Sequence, residues 1–148
     1  MKPILFHDID GVLFGMYEGA FQLRPGVNSW LSWAHRMFDV IWLTAWSRES
    51  VAQLLEATYN REFSANLRYA DWTNCEEKLV WLSSKRDLLL KDKWFWIDDD
   101  IPETDELDEL GVDPRRCIKV DPIGAHELVR LQEVLTSKLE NKSERVGR

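Results

Sequence analysis

Asp8 and Asp10 are the first residues of the chain whose type and spacing could do chemistry. They are separated by Ile9, followed by Gly11, and preceded by the apolar run Ile4-Leu5-Phe6 and His7. In strand geometry residues two apart lie on one side, so the pair is expected to share a face. Two carboxylates that close repel strongly unless a cation or a shared proton relieves them. A second acidic run, Asp98-Asp99-Asp100, follows Trp94-Phe95-Trp96-Ile97, and Thr44 closes Val40-Ile41-Trp42-Leu43. In a parallel sheet these three strand ends fall on one edge, where ligands of open α/β sheets sit. A carboxylate cluster there is costly without a metal, and its hard oxygen atoms suit Mg²⁺.

The elements that must deliver these groups can be read from apolar periodicity. Short apolar runs at Ile4–Phe6, Val40–Leu43, Trp94–Ile97 and Cys117–Val120 are expected to be buried parallel strands. Asn66 to Tyr69 is a further candidate strand. Between them, helical spacing places Val27, Trp30, Leu31, Ala34 and Met37 on one face after Pro25-Gly26. Val51, Leu54, Leu55 and Tyr59 line a helix beginning near Ser47, and Leu79, Leu82 and Leu89 a helix from about Cys75 to Leu90. A short helix near Thr104 to Leu110 is expected to end at Gly111, and a closing helix runs from Ala125 to about Leu139. Phe14 to Gly19, with two glycines, reads as a small hairpin or flap. The reading is one α/β domain over residues 1–140, helices on both faces of a parallel sheet, and a loose tail from 141 to 148.

Composition bounds the function. At 148 residues, 45% hydrophobic and 30% charged, the chain is neither disordered nor membrane-embedded. The start Met1-Lys2-Pro3 and the brief apolar run after it are too short for a signal peptide or a spanning helix, so a cytoplasmic location is expected. Cys75 and Cys117 have no metal-type spacing and are read as reduced thiols. A net charge of −7 argues against sequence-blind nucleic-acid binding. Most of the eight tryptophans are expected in the core. His7 is read as a satisfied buried histidine, and Arg48 and Asp100 as helix-start charges.

Taken in order, these segments resemble the haloacid dehalogenase (HAD) superfamily. Asp8-Ile9-Asp10-Gly11-Val12 resembles its motif I, DxDx(T/V); Leu43-Thr44 matches motif II; Trp96-Ile97-Asp98-Asp99 looks like motif IV. Lys78, twenty residues before Asp98, stands where the motif III lysine is common. Lys85, Lys91 and Lys93 also precede the acidic pair, but Lys78 would start its helix at the catalytic edge. The resemblance implies a Rossmannoid three-layer fold with a parallel sheet of about five strands. It also implies roles. Asp8 would be the nucleophile forming an aspartyl-phosphate, and Asp10 the general acid and then base. Thr44 would hydrogen-bond the phosphoryl oxygens, with Ala45 beside it also contacting substrate, and Lys78 would neutralise charge on Asp8 and phosphate. Mg²⁺ would be held by Asp8, the Asp10 carbonyl, Asp98 and Asp99.

What such proteins often carry and this chain lacks is a cap domain. Positions 14 to 24 are all that separate Leu13 from Pro25, and the stretch from Thr44 to Lys78 has room for one helix and a loop. An open cleft suits a bulky phosphorylated substrate. Trp42-Leu43-Thr44-Ala45-Trp46 and Asp121-Pro122-Ile123-Gly124 resemble small HAD domains associated with RNA repair systems. That resemblance implies a phosphorylated nucleic-acid end, with Trp46 and Trp72 placed to stack on a base. Arg24-Pro25-Gly26-Val27 is similar to phosphatases of the polymerase C-terminal-domain type, which keeps a phosphoprotein substrate open. The same residues would also serve a small nucleotide phosphatase, or a non-catalytic binding module of the same fold.

Overall fold

The computed structural model describes residues 2–59, 66–91 and 93–140. The expected tail, 141–148, lies outside them. Four strands form one parallel sheet: β1 (Ile4–His7), β4 (Asp39–Trp42), β5 (Trp94–Asp98) and β6 (Cys117–Lys119), in the order β4-β1-β5-β6. The register aligns Leu5 with Val40 and Phe95, and His7 with Trp42 and Ile97. The central strands are continuous apolar runs because both faces are covered. Leu5, Val40, Phe95 and Ile97 point to one face, and Ile4, Phe6, Ile41, Trp94 and Trp96 to the other.

The first face packs against α1 (Val27–Met37), α2 (Arg48–Thr58) and α6 (Glu127–Glu140) through Trp30, Leu31, Val51, Leu55, Leu131 and Leu135. The second packs against α3 (Lys78–Ser83), α4 (Arg86–Lys91) and α5 (Thr104–Glu109) through Leu79, Leu82 and Leu107. Five tryptophans, Trp30, Trp33, Trp42, Trp94 and Trp96, are buried. Both cysteines are free thiols, and burial pushes the Cys117 thiol up to about 12. None of the described helices is long and apolar enough to cross a membrane.

Several expected boundaries move. The sheet has four strands rather than about five: Tyr69 makes a single parallel bridge to Trp42 at the outer edge of β4. The helix expected from Cys75 to Leu90 starts at Lys78 and divides in two. There the Ser83 and Ser84 hydroxyls donate back to the Val80 and Trp81 carbonyls, and the Lys85 amide bonds only three residues back, to Leu82. Met37 ends α1 in an exposed position, and Trp33 takes a place in the core instead. The flap is a hairpin of β2 (Phe14–Tyr17) and β3 (Ala20–Leu23), pairing Phe14 with Leu23 and Met16 with Phe21. α5 closes as expected at Gly111: the Gly111 and Val112 amides donate to Asp108 and Leu107.

Candidate functional site

β1 ends at His7, and Asp8 follows on the turn with only 3% of its surface exposed. The backbone there is fixed from beneath. The Trp30 indole can only donate, and it donates to His7 Nε2 at 2.8 Å, so His7 carries its proton on Nδ1 and gives it to the Asp8 carbonyl at 2.6 Å. Burial drives the His7 pKa down to about 3, which keeps the ring neutral. His7 is thus the satisfied core histidine expected, with the Asp8 carbonyl as one of its partners.

The Asp8 carboxylate divides its oxygens. Oδ1 accepts the Ile9 amide at 2.7 Å, and Oδ2 faces Lys78 Nζ at 3.1 Å. The same ammonium donates to Asp98 Oδ2 at 2.8 Å, while Asp98 Oδ1 accepts the Asp100 amide at 2.9 Å. Lys78 stands first in α3 and Asp98 last in β5, so one strand end, one helix start and one turn converge. Asp8, Asp98 and Asp99 each place a carboxylate oxygen within 4.8 Å of the others. Asp99 lies against Gly11, where any Cβ would collide with its carboxylate.

Such crowding shifts protonation. Burial, then the charge of Asp98, raises the Asp8 carboxyl to about 7, against the pull of Lys78. Burial and the neighbouring Asp98 raise Asp99 to about 6. Burial alone would lower the Lys78 pKa, but the Asp8 and Asp98 carboxylates outweigh it and hold the pKa above its usual value. Three carboxyls facing one ammonium are short of positive charge, which a divalent cation or a proton can supply.

Asp10 is not part of that cluster. The strand alternation stops at His7, and the exposed Asp10 side chain accepts the Trp46 indole N–H on Oδ1 at 2.8 Å. Thr44 is fully buried, its Oγ1 accepting the Trp46 amide at 3.2 Å. Ala45 between them is exposed. The Trp72 indole donates to the Thr44 carbonyl at 2.8 Å, and the Tyr69 hydroxyl to the Trp46 carbonyl at 2.6 Å. Both tryptophans expected to stack on a base therefore also hold the β4 exit loop and Asp10 in place. Arg48 donates to the Leu67 carbonyl and stacks over Tyr69, a scaffold role.

One contributor was not anticipated. Arg24, 4% exposed, donates to the carbonyls of Gly11, Val12, Asp121 and Gly124 at 2.7–3.0 Å. It ties the turn after Asp10 to the exit loop of β6. Nothing local to Leu23-Arg24-Pro25 signals partners about a hundred residues away, because backbone carbonyls carry no sequence signature. A cavity of about 380 Å³ opens beside Lys78 and Asp98, walled by Trp72, Glu77, Asp100 and Glu106. A larger one, about 590 Å³, lies between the hairpin and the first turns of α1 and α6 and includes none of Asp8, Asp98 and Asp99. The buried carboxylates and Lys78 lie at the strand ends, apart from that larger cavity.

A scan against protein-family models finds no match for the chain, and a search of curated proteins finds none either.

Proposed function

We propose that the chain is a Mg²⁺-dependent phosphoric monoester hydrolase working through an aspartyl-phosphate on Asp8. The observation that carries this reading is the Lys78 ammonium shared between Asp8, at 3.1 Å, and Asp98, at 2.8 Å. A lone carboxylate is a poor nucleophile towards a dianionic phosphate; a cation beside it offsets the repulsion and serves the charge that spreads over the phosphoryl oxygens. The HAD resemblance of the four segments supports the same roles.

In the reaction, an Asp8 oxygen forms a bond to phosphorus as the bond to the ester oxygen breaks. The departing alkoxide takes its proton from Asp10. Water then attacks phosphorus, giving its proton to Asp10, and the bond to Asp8 breaks to release inorganic phosphate. Thr44 and Ala45, at the exit of β4, would bind phosphoryl oxygens. Asp8, Asp98 and Asp99 are an all-oxygen donor set with oxygens within 4.8 Å of one another, which fits Mg²⁺, with the Asp10 carbonyl as a further donor. Bound there, the ion supplies positive charge to the phosphoryl group.

Among the described residues, the hairpin β2–β3, four residues per strand, and the segment 66–77 that carries Trp72 stand by this edge, and neither is a folded cap. A bulky substrate such as a phosphorylated nucleic-acid end is therefore favoured. The test is hydrolysis of an aryl phosphate with and without Mg²⁺, followed by 5′- and 3′-phosphorylated oligonucleotides, mononucleotides and phosphopeptides. Asp8→Asn is expected to abolish turnover while leaving the fold intact. Near-normal turnover in that variant would remove Asp8 as nucleophile, and a preference for phosphopeptides would remove the nucleic-acid substrate.

A further inference from the structure

Asp10 sits on an exposed turn, where a short acidic side chain left to solvent samples several rotamers. Its carboxyl is instead met by the Trp46 indole N–H, 2.8 Å from Oδ1. Trp46 is itself held at three other points. Its backbone amide donates to Thr44 Oγ1 at 3.2 Å, its carbonyl accepts the Tyr69 hydroxyl at 2.6 Å, and its ring meets the Phe14 ring edge-on at 5.6 Å. Phe14 returns to the same turn: its carbonyl accepts the Gly11 amide at 2.8 Å, and it bridges to Asp10. The indole is therefore clamped between the exit of β4 and the start of β2, and its one polar atom reaches Asp10.

We propose that Trp46 is a positioning residue that holds the Asp10 carboxyl as proton donor to the leaving group. This rests on the phosphatase reading above. An indole N–H donates and never accepts, so it fixes one Asp10 oxygen and with it the orientation of the carboxyl, leaving the other oxygen to face the leaving group. Holding an acid in one orientation matters only where the departing oxygen needs its proton. Sugar and side-chain hydroxyls do; acyl phosphates and nitro-substituted phenyl phosphates leave without one. A tryptophan that only packs under the hairpin would affect every substrate alike.

Trp46→Phe preserves a ring against Phe14 and removes the N–H. Tyr69→Phe keeps the indole and removes one of its anchors. Both are compared with the unsubstituted full chain in Mg²⁺, on glycerophosphate and on dinitrophenyl phosphate. In Trp46→Phe the loss of kcat/KM on glycerophosphate should exceed the loss on dinitrophenyl phosphate by about tenfold or more, and fall mainly in kcat. Tyr69→Phe should show the same imbalance, smaller. Equal losses on the two esters, or no loss on either, overturn the positioning role while leaving the phosphatase reading intact. If Trp46→Phe melts early or loses its near-ultraviolet dichroism, Tyr69→Phe decides by the same ratio. Failure of the unsubstituted chain to hydrolyse either ester overturns the phosphatase reading and this inference together.

Discussion

Lys78 holds the site's charge balance. Asp8 and Asp98 are buried, with side chains 5% and 2% exposed, and without the ammonium between them they would face each other as uncompensated anions. Removing one partner from a buried ionic cluster costs about 3–5 kcal/mol, far more than losing a solvated surface pair. Lys78→Met is therefore expected to lower unfolding stability by about 3–5 kcal/mol at pH about 9, well above the Asp8 value of about 7, without divalent cations, as read from urea denaturation. Part of that loss should return at lower pH. Asp8 titrates at about 7 in the fold, so acidification neutralises it and removes the repulsion. A loss below about 1 kcal/mol would mean that the cluster is solvated and Lys78 contributes as surface lysines do.

Among the elements, the turn after β1 is constrained at Gly11. Gly11 has φ +76°, which L side chains rarely adopt, and a Cβ there would run into the Asp99 carboxylate. Gly19, at the hairpin tip, has φ +81° but no heavy atom within 4 Å of the Cβ position. The pair separates backbone strain from collision. Gly19→Ala should show only the strain, roughly 1–2 kcal/mol or a few degrees in Tm. Gly11→Ala adds displacement of Asp99, and its Tm should fall by about 5–10 °C. It should also lose Mg²⁺-induced stabilisation, which Gly19→Ala keeps. Similar melting shifts in the two variants would show that Asp99 can move aside without cost.

At the scale of the molecule the stability of the folded state depends on the protons held at the carboxylate cluster. Asp8 at about 7 and Asp99 at about 6 still hold protons in a range where unfolded carboxyls, near 3.8, have released theirs. The folded state binds the excess protons there, so this contribution to metal-free stability falls as pH rises from about 4 to 7. His7 works the other way: at about 3 in the fold against 6.5 unfolded, its contribution is lost as pH falls through that interval. In the proposed reading, Mg²⁺ would compete with protons for the same carboxylates. The Mg²⁺-induced rise in Tm is therefore expected to be several degrees larger at pH about 8 than at about 5, and to vanish in Asp98→Ala. A rise independent of pH would place the ion elsewhere.

The amino-acid sequence determined the strand ends and their charges. Apolar runs that stop at Asp8, Thr44 and Asp98 specify buried parallel strands, because only full burial on both faces tolerates such runs, and parallel strands put their carboxyl ends on one edge. The buried positions Val27, Trp30, Leu31 and Ala34 of α1 and Val51, Leu54 and Leu55 of α2 followed from the 3.6-residue period. Lys78, chosen among four lysines from its place at a helix start, does start α3. Tertiary structure alone decided the partners. The spacing of Asp8 and Asp10 could not show that β1 ends at His7, which leaves Asp8 to Lys78 and Asp10 to Trp46. Trp46 and Trp72 read as rings near the catalytic edge, placed to stack on a base, yet each indole N–H is spent on a polar atom 28 or more residues away. Arg24 has carbonyl partners up to a hundred residues distant. Periodicity records which face a residue turns to the core; the hydrogen-bond partner it finds depends on how separate elements meet in space, and no local pattern encodes that.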